Sequence, residues 1–136
     1  MLSWSWAEDM LVRSRSYWLS TTRPDHSPHA MPVWGVWMDG RFLFDTHPLS
    51  QKARNLEHDR RAVVHLESAE EVVVLEGEVE VDEDVPAPRF ERFRLAFEEK
   101  YGRFPCGAFE FTPRTAYAWD NADYAGSVTR YDLSRD

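Results

Sequence analysis

Cysteine is nearly missing from this chain: Cys106 is the single one among 136 residues. That excludes an internal disulfide and any cysteine-rich metal site. No apolar run approaches the roughly 20 residues that a membrane-spanning helix needs. The stretch from Met1 to Asp9 has neither the basic region nor the apolar segment of a secretory signal, so a cytoplasmic location is expected. Positive charge is also scarce, with 16 Lys and Arg against 24 Asp and Glu and a formal net charge of −8. General nucleic-acid binding is excluded on that ground, because neutralising phosphates takes a basic face. The five histidines, His26, His29, His47, His58 and His65, include no helical pair spaced for zinc. No nucleophile stands in a recognisable triad, and neither catalytic residues nor metal ligands are assigned. Cys106, between Pro105 and Gly107, is expected to be a packed thiol.

What the chain does have is apolar and aromatic. Hydrophobic residues make up 43% of it, enough for the core of one domain spanning residues 1–136. Aromatic residues reach 14%, with six Trp, more flat ring surface than so small a core usually needs. Such rings also line cofactor pockets.

The periodicity is that of a strand-dominated fold. Residues 3–13 read as an amphipathic helix with Trp6, Met10 and either Leu2 or Leu11 facing inward. Strands are expected over Tyr17–Thr22, Met31–Met38 and Arg41–Thr46, with a turn signal at residues 23–28 and an Asp39-Gly40 hairpin turn. Pro32 should mark a strand start, an edge or a bulge. Trp34 and Trp37, three apart, must face opposite sides of a regular strand, one toward the core and one toward a pocket or interface. A helix from Gln51 to about His58 follows, then strands over Ala62–Glu67 and Val72–Val81. In the latter Glu76, Glu78 and Glu80 form a solvated face and Gly77 allows a bulge. Asp82-Glu83-Asp84 reads as a turn, and Pro86-Ala87-Pro88 opens a helix that Tyr101-Gly102 ends. Short β segments at Ala108–Phe111 and Ala116–Trp119, separated by Thr112-Pro113, and a last strand over Ser127–Leu133 complete the chain. Hairpin-joined strands with few helices point to a small antiparallel β-barrel.

The most informative stretch is Leu43 to Leu56. Ser50 stands where a helix N-cap should be, and Lys52 and Arg54 occupy the first turn. Cations there oppose the positive end of the helix dipole. They are either solvated surface cations or the companions of an anion held at the helix start.

Together, Tyr17 to Thr22, the Pro-His-Ala-Met-Pro-Val-Trp run at 28–34, and Ser50-Gln51-Lys52-Ala53-Arg54-Asn55-Leu56 resemble the pyridoxamine 5′-phosphate oxidase-like split β-barrel superfamily. Within it they are most similar to the flavin/deazaflavin oxidoreductases that use coenzyme F420. The resemblance runs from about Trp18 to Arg130. Thr46, Ser50 and Lys52 match its phosphate-binding Thr and Ser-x-Lys. Pro113-Arg114 followed by Trp119 matches a segment that reaches the partner subunit's cofactor, and Thr129-Arg130-Tyr131 a closing Thr-Arg-aromatic.

The resemblance implies a mainly β fold, an antiparallel split β-barrel of the FMN-binding type with short helices, working as a homodimer with cofactor at the subunit interface. It implies cofactor contacts by Pro32, Val33, Trp34, Thr46, Ser50, Gln51, Lys52, Arg54, Asn55, Trp119 and Arg130. Asn55 has a second reading as a helix buttress and Trp119 as a buried anchor. The basic phosphate-gripping strand of the vitamin oxidases is replaced here by Ala30-Met31-Pro32-Val33-Trp34. That substitution favours coenzyme F420 over FMN, with Arg54, Arg60 and Arg61 offering charge to a polyglutamate tail. The implied activity is hydride transfer to a small unsaturated or conjugated substrate. His47, beside the phosphate residues, is a candidate proton donor. The alternatives are an FMN-dependent oxidase-like enzyme and a non-catalytic flavin- or haem-binding module, for which His29, His47 or His65 would supply the axial ligand.

Overall fold

Alternating apolar and polar residues are realised as strands nearly throughout the computed structural model, which describes residues 1–80 and 87–134. In order the elements are α1 (Trp4–Arg13), β1 (Tyr17–Thr22), β2 (Pro28–Met38), β3 (Arg41–Asp45), α2 (Gln51–His58), β4 (Arg61–Leu66) and β5 (Glu71–Glu80). After these come α3 (Ala87–Tyr101), β6 (Phe109–Asp120), a short 3-10 turn (Asn121–Asp123), α4 (Tyr124–Ser127) and β7 (Thr129–Asp132). Val81, the turn at 82–84 and the helix start at Pro86 lie outside the described residues.

All pairings are antiparallel, in the order β3-β2-β1-β4-β5-β6-β7, and β3 pairs back onto β6. β1 to β6 therefore form a closed six-stranded barrel with β7 as an extra strand, the expected mainly β split barrel. One edge of β6 is divided between two partners: Phe109–Phe111 pair with β3, and Thr115–Ala118 pair with β7. The tight turn between β2 and β3 is the expected one, with Asp39 at φ 55° and Gly40 at φ 72°.

Inward side chains fill the barrel, among them Tyr17, Leu19, Phe42, Phe44, Val64, Leu75 and Phe111, and Ala7 and Leu11 of α1 and Ala53 and Leu56 of α2 join the same core. On the outer side of β2 and β3, Leu43 and Ala108 pack with Phe93 and Phe97 of α3. The carboxylate of Glu110, 4% exposed, ties this helix down through Arg89, whose guanidinium donates to it at 3.1 Å. Trp37 is the core-facing tryptophan, at 6% exposure, and its indole N–H donates to Glu8 at 3.0 Å.

Three expectations need correction. β2 begins at Pro28, because Thr21 and Thr22 of β1 already pair with His29 and Pro28. β6 runs unbroken through Pro113, because the ladder shifts register between Glu76 and Gly77 and sets Gly77 opposite the proline. Ser127 belongs to α4, not to the last strand; Asp120 and Asp123 cap the turns at 121–127 by accepting from the backbone N–H groups of Ala122 and Gly126.

The bulge depends on Gly77 having no side chain. A Cβ there would stand 2.1 Å from the Thr112 carbonyl oxygen and 2.9 Å from the Pro113 Cα, both backbone atoms that cannot step aside. Gly77→Ala is expected to cost about 1–3 kcal/mol of stability, the range for forced overpacking. Urea unfolding of the two proteins, with matched far-UV spectra, measures it.

Candidate functional site

The end of β3 hands the chain to α2 through a turn that gathers polar groups. Ser50 caps the helix by accepting from the Ala53 N–H at 3.2 Å. Its hydroxyl also meets that of Thr46 at 3.1 Å, so two hydroxyls face the same point. Asp45, Thr46, His47, Ser50 and Lys52 form one side of a cavity of about 300 Å³. Pro32, Val33 and Trp34 of β2 form the facing wall, and Arg103, from the loop after α3, completes the lining. Depressions of about 590 and 520 Å³ lie elsewhere. The cavity of about 300 Å³ is the one that joins paired hydroxyls and Lys52 to an aromatic wall.

Six of the residues implicated by resemblance thus meet: Pro32, Val33, Trp34, Thr46, Ser50 and Lys52. Gln51, Arg54 and Asn55 do not line the cavity. Gln51 donates to the Asn55 side-chain carbonyl at 2.7 Å, and Arg54 donates to Leu49 O at 2.9 Å and to Gln51 Oε1 at 2.8 Å. Asn55 is fully buried and donates to the Thr21 hydroxyl at 2.9 Å, with His29 Nδ1 3.4 Å away. It buttresses α2 against β1 and β2.

Trp119 and Arg130 stand elsewhere on the sheet. The Trp119 indole donates to Asn121 at 2.9 Å and meets Tyr124 edge-on, while Arg130 is exposed on β7. Arg61, expected to attract a ligand's tail, is held by Asp59 through contacts of 3.1 and 2.8 Å.

The Trp34 wall is itself supported. Tyr101 stacks on it with centroids 4.4 Å apart and planes within 4°. The Arg15 guanidinium lies 5.1 Å from the Trp34 centroid and 4.6 Å from that of Tyr101, and donates to Lys100 O at 2.7 Å. Lys100 reaches back between α3 and the barrel and donates to the Tyr17 hydroxyl and to Gly35 O, each at 2.9 Å. Burial, with Arg15 as a nearby like charge, lowers the Lys100 pKa to about 8. Burial likewise raises the Tyr17 and Tyr101 hydroxyls above their ordinary values.

Arg103 lies over the Trp34 ring at 5.2 Å. Its loop is fixed by Asp45, whose carboxylate accepts from the Cys106 and Gly107 N–H groups at 2.7 and 3.3 Å. Cys106 itself is exposed, not packed, because this loop uses its backbone and leaves the thiol outside.

The charge balance is local. Lys52, Arg103, Arg15 and Lys100 form no ion pair with a carboxylate among the described residues, although the chain is acidic overall. Such a cavity can hold an anion against hydroxyls and a lysine, with a flat ring beside Trp34. Burial, then the cations Arg23 and Lys52, lower the pKa of His29, which lies beneath the site. His65 Nδ1 faces Leu66 O at 2.7 Å. His47 lines the cavity with Nδ1 accepting from the Leu49 N–H at 3.0 Å, so its neutral ring carries the proton on Nε2. Among the described residues no group of three or more His, Cys, Asp or Glu could hold a metal ion, and no helix is long and apolar enough to cross a membrane.

Sequence reasoning did not single out Asp45, Tyr101, Arg15 or Arg103 for this cavity. The one local hint for Arg103 is its place directly after Gly102, whose φ of 81° turns the chain back from the end of α3.

The profile of the family described as pyridoxamine 5′-phosphate oxidase matches residues 7–120. No curated protein matches. Among solved structures, a conserved hypothetical protein of Mycobacterium tuberculosis is 24% identical, with a TM-score of 0.76 over 100% of this chain and 93% of that one. General Stress Protein 26 of Bacillus anthracis is 20% identical, with a TM-score of 0.71 over 93% of this chain and 95% of its own. A protein described as an F420 reductase is 23% identical, with a TM-score of 0.63 over 80% of this chain and 94% of its own. At these identities the likeness is one of fold.

The Lys100 pocket can be tested through its titration. The folded protein releases this proton near pH 8, the unfolded chain near 10.5, so between them the unfolded state binds more protons. Stability should therefore rise with pH from about 8 toward 10, where tyrosine ionisation in the unfolded chain begins to oppose it. In Lys100→Met this rise should be absent from urea midpoints measured across the window.

Proposed function

The chain belongs to the pyridoxamine 5′-phosphate oxidase family, and within it we propose a cofactor-dependent oxidoreductase that uses coenzyme F420. The observation that carries this reading is the cavity between Trp34 and Lys52. Its donor set suits a phosphodiester: Thr46 and Ser50 supply hydroxyls and Lys52 a charge with no ion-pair partner among the described residues. Its β2 wall suits the edge of a ring system, being Pro32, Val33 and an indole. The F420 reductase among the structural relatives and the resemblance of the Ser50–Asn55 segment support the same choice.

Coenzyme F420, when bound, supplies the hydride chemistry. The protein's part is to bind, orient and exclude water. Lys52, Ser50 and Thr46 would hold the phosphate, and the Asn55 network would keep α2 in place behind them. Trp34, itself held flat by Tyr101, would fix the plane of the ring. His47 presents Nε2–H and would donate a hydrogen bond at the cavity rim; to donate a proton it would first have to be protonated at Nδ1, giving up the Leu49 N–H contact. The substrate class remains a small unsaturated or conjugated molecule. FMN is the alternative cofactor, disfavoured by the apolar β2 wall.

The cofactor site would be shared in a homodimer. Across the outer face of the sheet, Pro32, Trp18, His65, Val74, Tyr117 and Arg130 are successive cross-strand neighbours. Trp18, His65, Val74 and Tyr117 are half-buried and point away from the core. Arg130 and Trp119 do not line their own subunit's cavity. A two-fold packing of this face would bring Arg130 and Trp119 to the other subunit's cofactor.

Calorimetric titration tests the cofactor. Coenzyme F420 should bind more tightly than FMN at low salt, with the margin narrowing as salt rises. Lys52→Ala should lose about 1.5–3 kcal/mol of binding, the range for a charge-assisted hydrogen bond. Equal or reversed affinities would move the reading to FMN, and unchanged affinity in folded Lys52→Ala would remove this cavity from the site.

Subunit mixing tests the sharing. Lys52→Ala and Trp119→Ala homodimers each have two damaged sites, whereas a mixed dimer carries one intact and one doubly damaged site. Recovery of binding on mixing is expected; confirmed exchange without recovery would defeat the shared site.

A further inference from the structure

We infer that Arg103 is the anchor for a second anionic group of the ligand, distinct from the one at Ser50 and Lys52. This deepens the cofactor reading above and rests on it. Of the three cations expected from sequence to take a second anion, two are already engaged, and the third, Arg60, is exposed and does not line the cavity. Arg54 is spent on Leu49 O and Gln51 Oε1, and Arg61 on Asp59. Arg103 differs: it is exposed, it lines the cavity, and its guanidinium has no hydrogen-bond or carboxylate partner among the described residues. It lies over the face of Trp34.

Position makes this useful. Arg15 touches both rings of the Trp34–Tyr101 stack, whereas Arg103 lies over Trp34 alone. Stacking orients a guanidinium and leaves its N–H edge free, the edge that pairs two-pronged with carboxylate or phosphate. The loop is held for the purpose. Gly102 at φ 81° reverses the chain, and Asp45 pins Cys106 and Gly107 on the far side of Arg103. Asp45 is the carboxylate in the cavity lining. Its Oδ1 is taken by those two N–H groups, and it forms no ion pair with Arg103 or Lys52. The charges of Arg15 and Lys100 beside the stack, which form no ion pair among the described residues, add to the positive field. The ligand class is therefore a molecule with a flat ring and two anionic groups, the second a carboxylate or a phosphate. It could come from the cofactor's tail or from an anionic substrate.

The test compares wild type, Arg103→Met, Arg103→Lys and Lys52→Ala with coenzyme F420, whose tail carries carboxylates, and with FMN, which has one phosphate. With the second anion on the cofactor, Arg103→Met should weaken F420 binding about tenfold or more and flatten its salt dependence. FMN binding should stay within about twofold, and Arg103→Lys should recover part of the loss. Lys52→Ala should weaken both cofactors. With the second anion on the substrate, neither cofactor responds to Arg103→Met. Inorganic phosphate added to the FMN-loaded protein then shifts the Arg103 Nε–H resonance in wild type and in Lys52→Ala.

Equal weakening of F420 and FMN by Arg103→Met would overturn the proposal, since Arg103 would then only brace Trp34 or share the first anion. No effect on either cofactor together with no phosphate shift would overturn it too. If wild type binds neither cofactor, the reading of the preceding subsection falls. The phosphate titration of Arg103 then decides this one separately: a saturable shift supports the anion site, and its absence removes it.

Discussion

Three residue pairs hold the barrel closed: Phe42 with Phe111, Leu43 with Glu110, and Phe44 with Phe109. The rest of the molecule depends on that seam. It spans a strand edge that β6 must also share with β7, and the division is possible because the ladder with β5 slips at Gly77. The slip places Pro113, which has no N–H to donate, where β6 leaves one partner for the other. The seam also creates the seat for α3. Phe42 and Phe44 turn inward, so Leu43 turns outward onto Phe93 and Phe97. Seating α3 there brings Tyr101 and Arg103 to Trp34. The cavity thus inherits its aromatic wall from the same pairing that shuts the barrel.

Charge is the second organising constraint. The chain is strongly acidic, yet among the described residues the cations around this cavity lack carboxylate partners while others on the surface have them. Local excess of one sign against the overall balance draws oppositely charged ligands to one place. The structure keeps it there by backbone means. Arg15 caps the carbonyl end of α3, Lys100 rests on neutral oxygens, and Asp45, which might have neutralised a cation, is committed to a loop.

Much of this was legible in the sequence because it is local. Alternation marks the strands, Asp39-Gly40 the hairpin, Ser50 the helix cap, and the spacing of Trp34 and Trp37 their opposite faces. The family resemblance implied both walls of the cavity, Pro32 to Trp34 on one side and Thr46, Ser50 and Lys52 on the other. What was not legible is Arg103, which completes the lining, and Tyr101, which backs Trp34, since both lie more than sixty residues beyond Trp34 in the chain and reach it by helix packing. A cation after a helix looks like any solvated charge until the fold shows what lies beneath it. Pro113 misled for a related reason. Proline breaks a strand only where its N–H would be needed, and the register shift that removes the need is set by a glycine on another strand. Asn55 reads as a residue of the phosphate segment but lies on the buried face of α2, where its amide serves Thr21.

The stack of Trp34 on Tyr101 also has an optical consequence. Of the six tryptophans, Trp34 is the one that lines this cavity. A yellow chromophore lying against it would drain its excited state, while Trp37, buried and hydrogen-bonded to Glu8, has its own separate surroundings. The protein would then report occupancy through its own emission, without any added label.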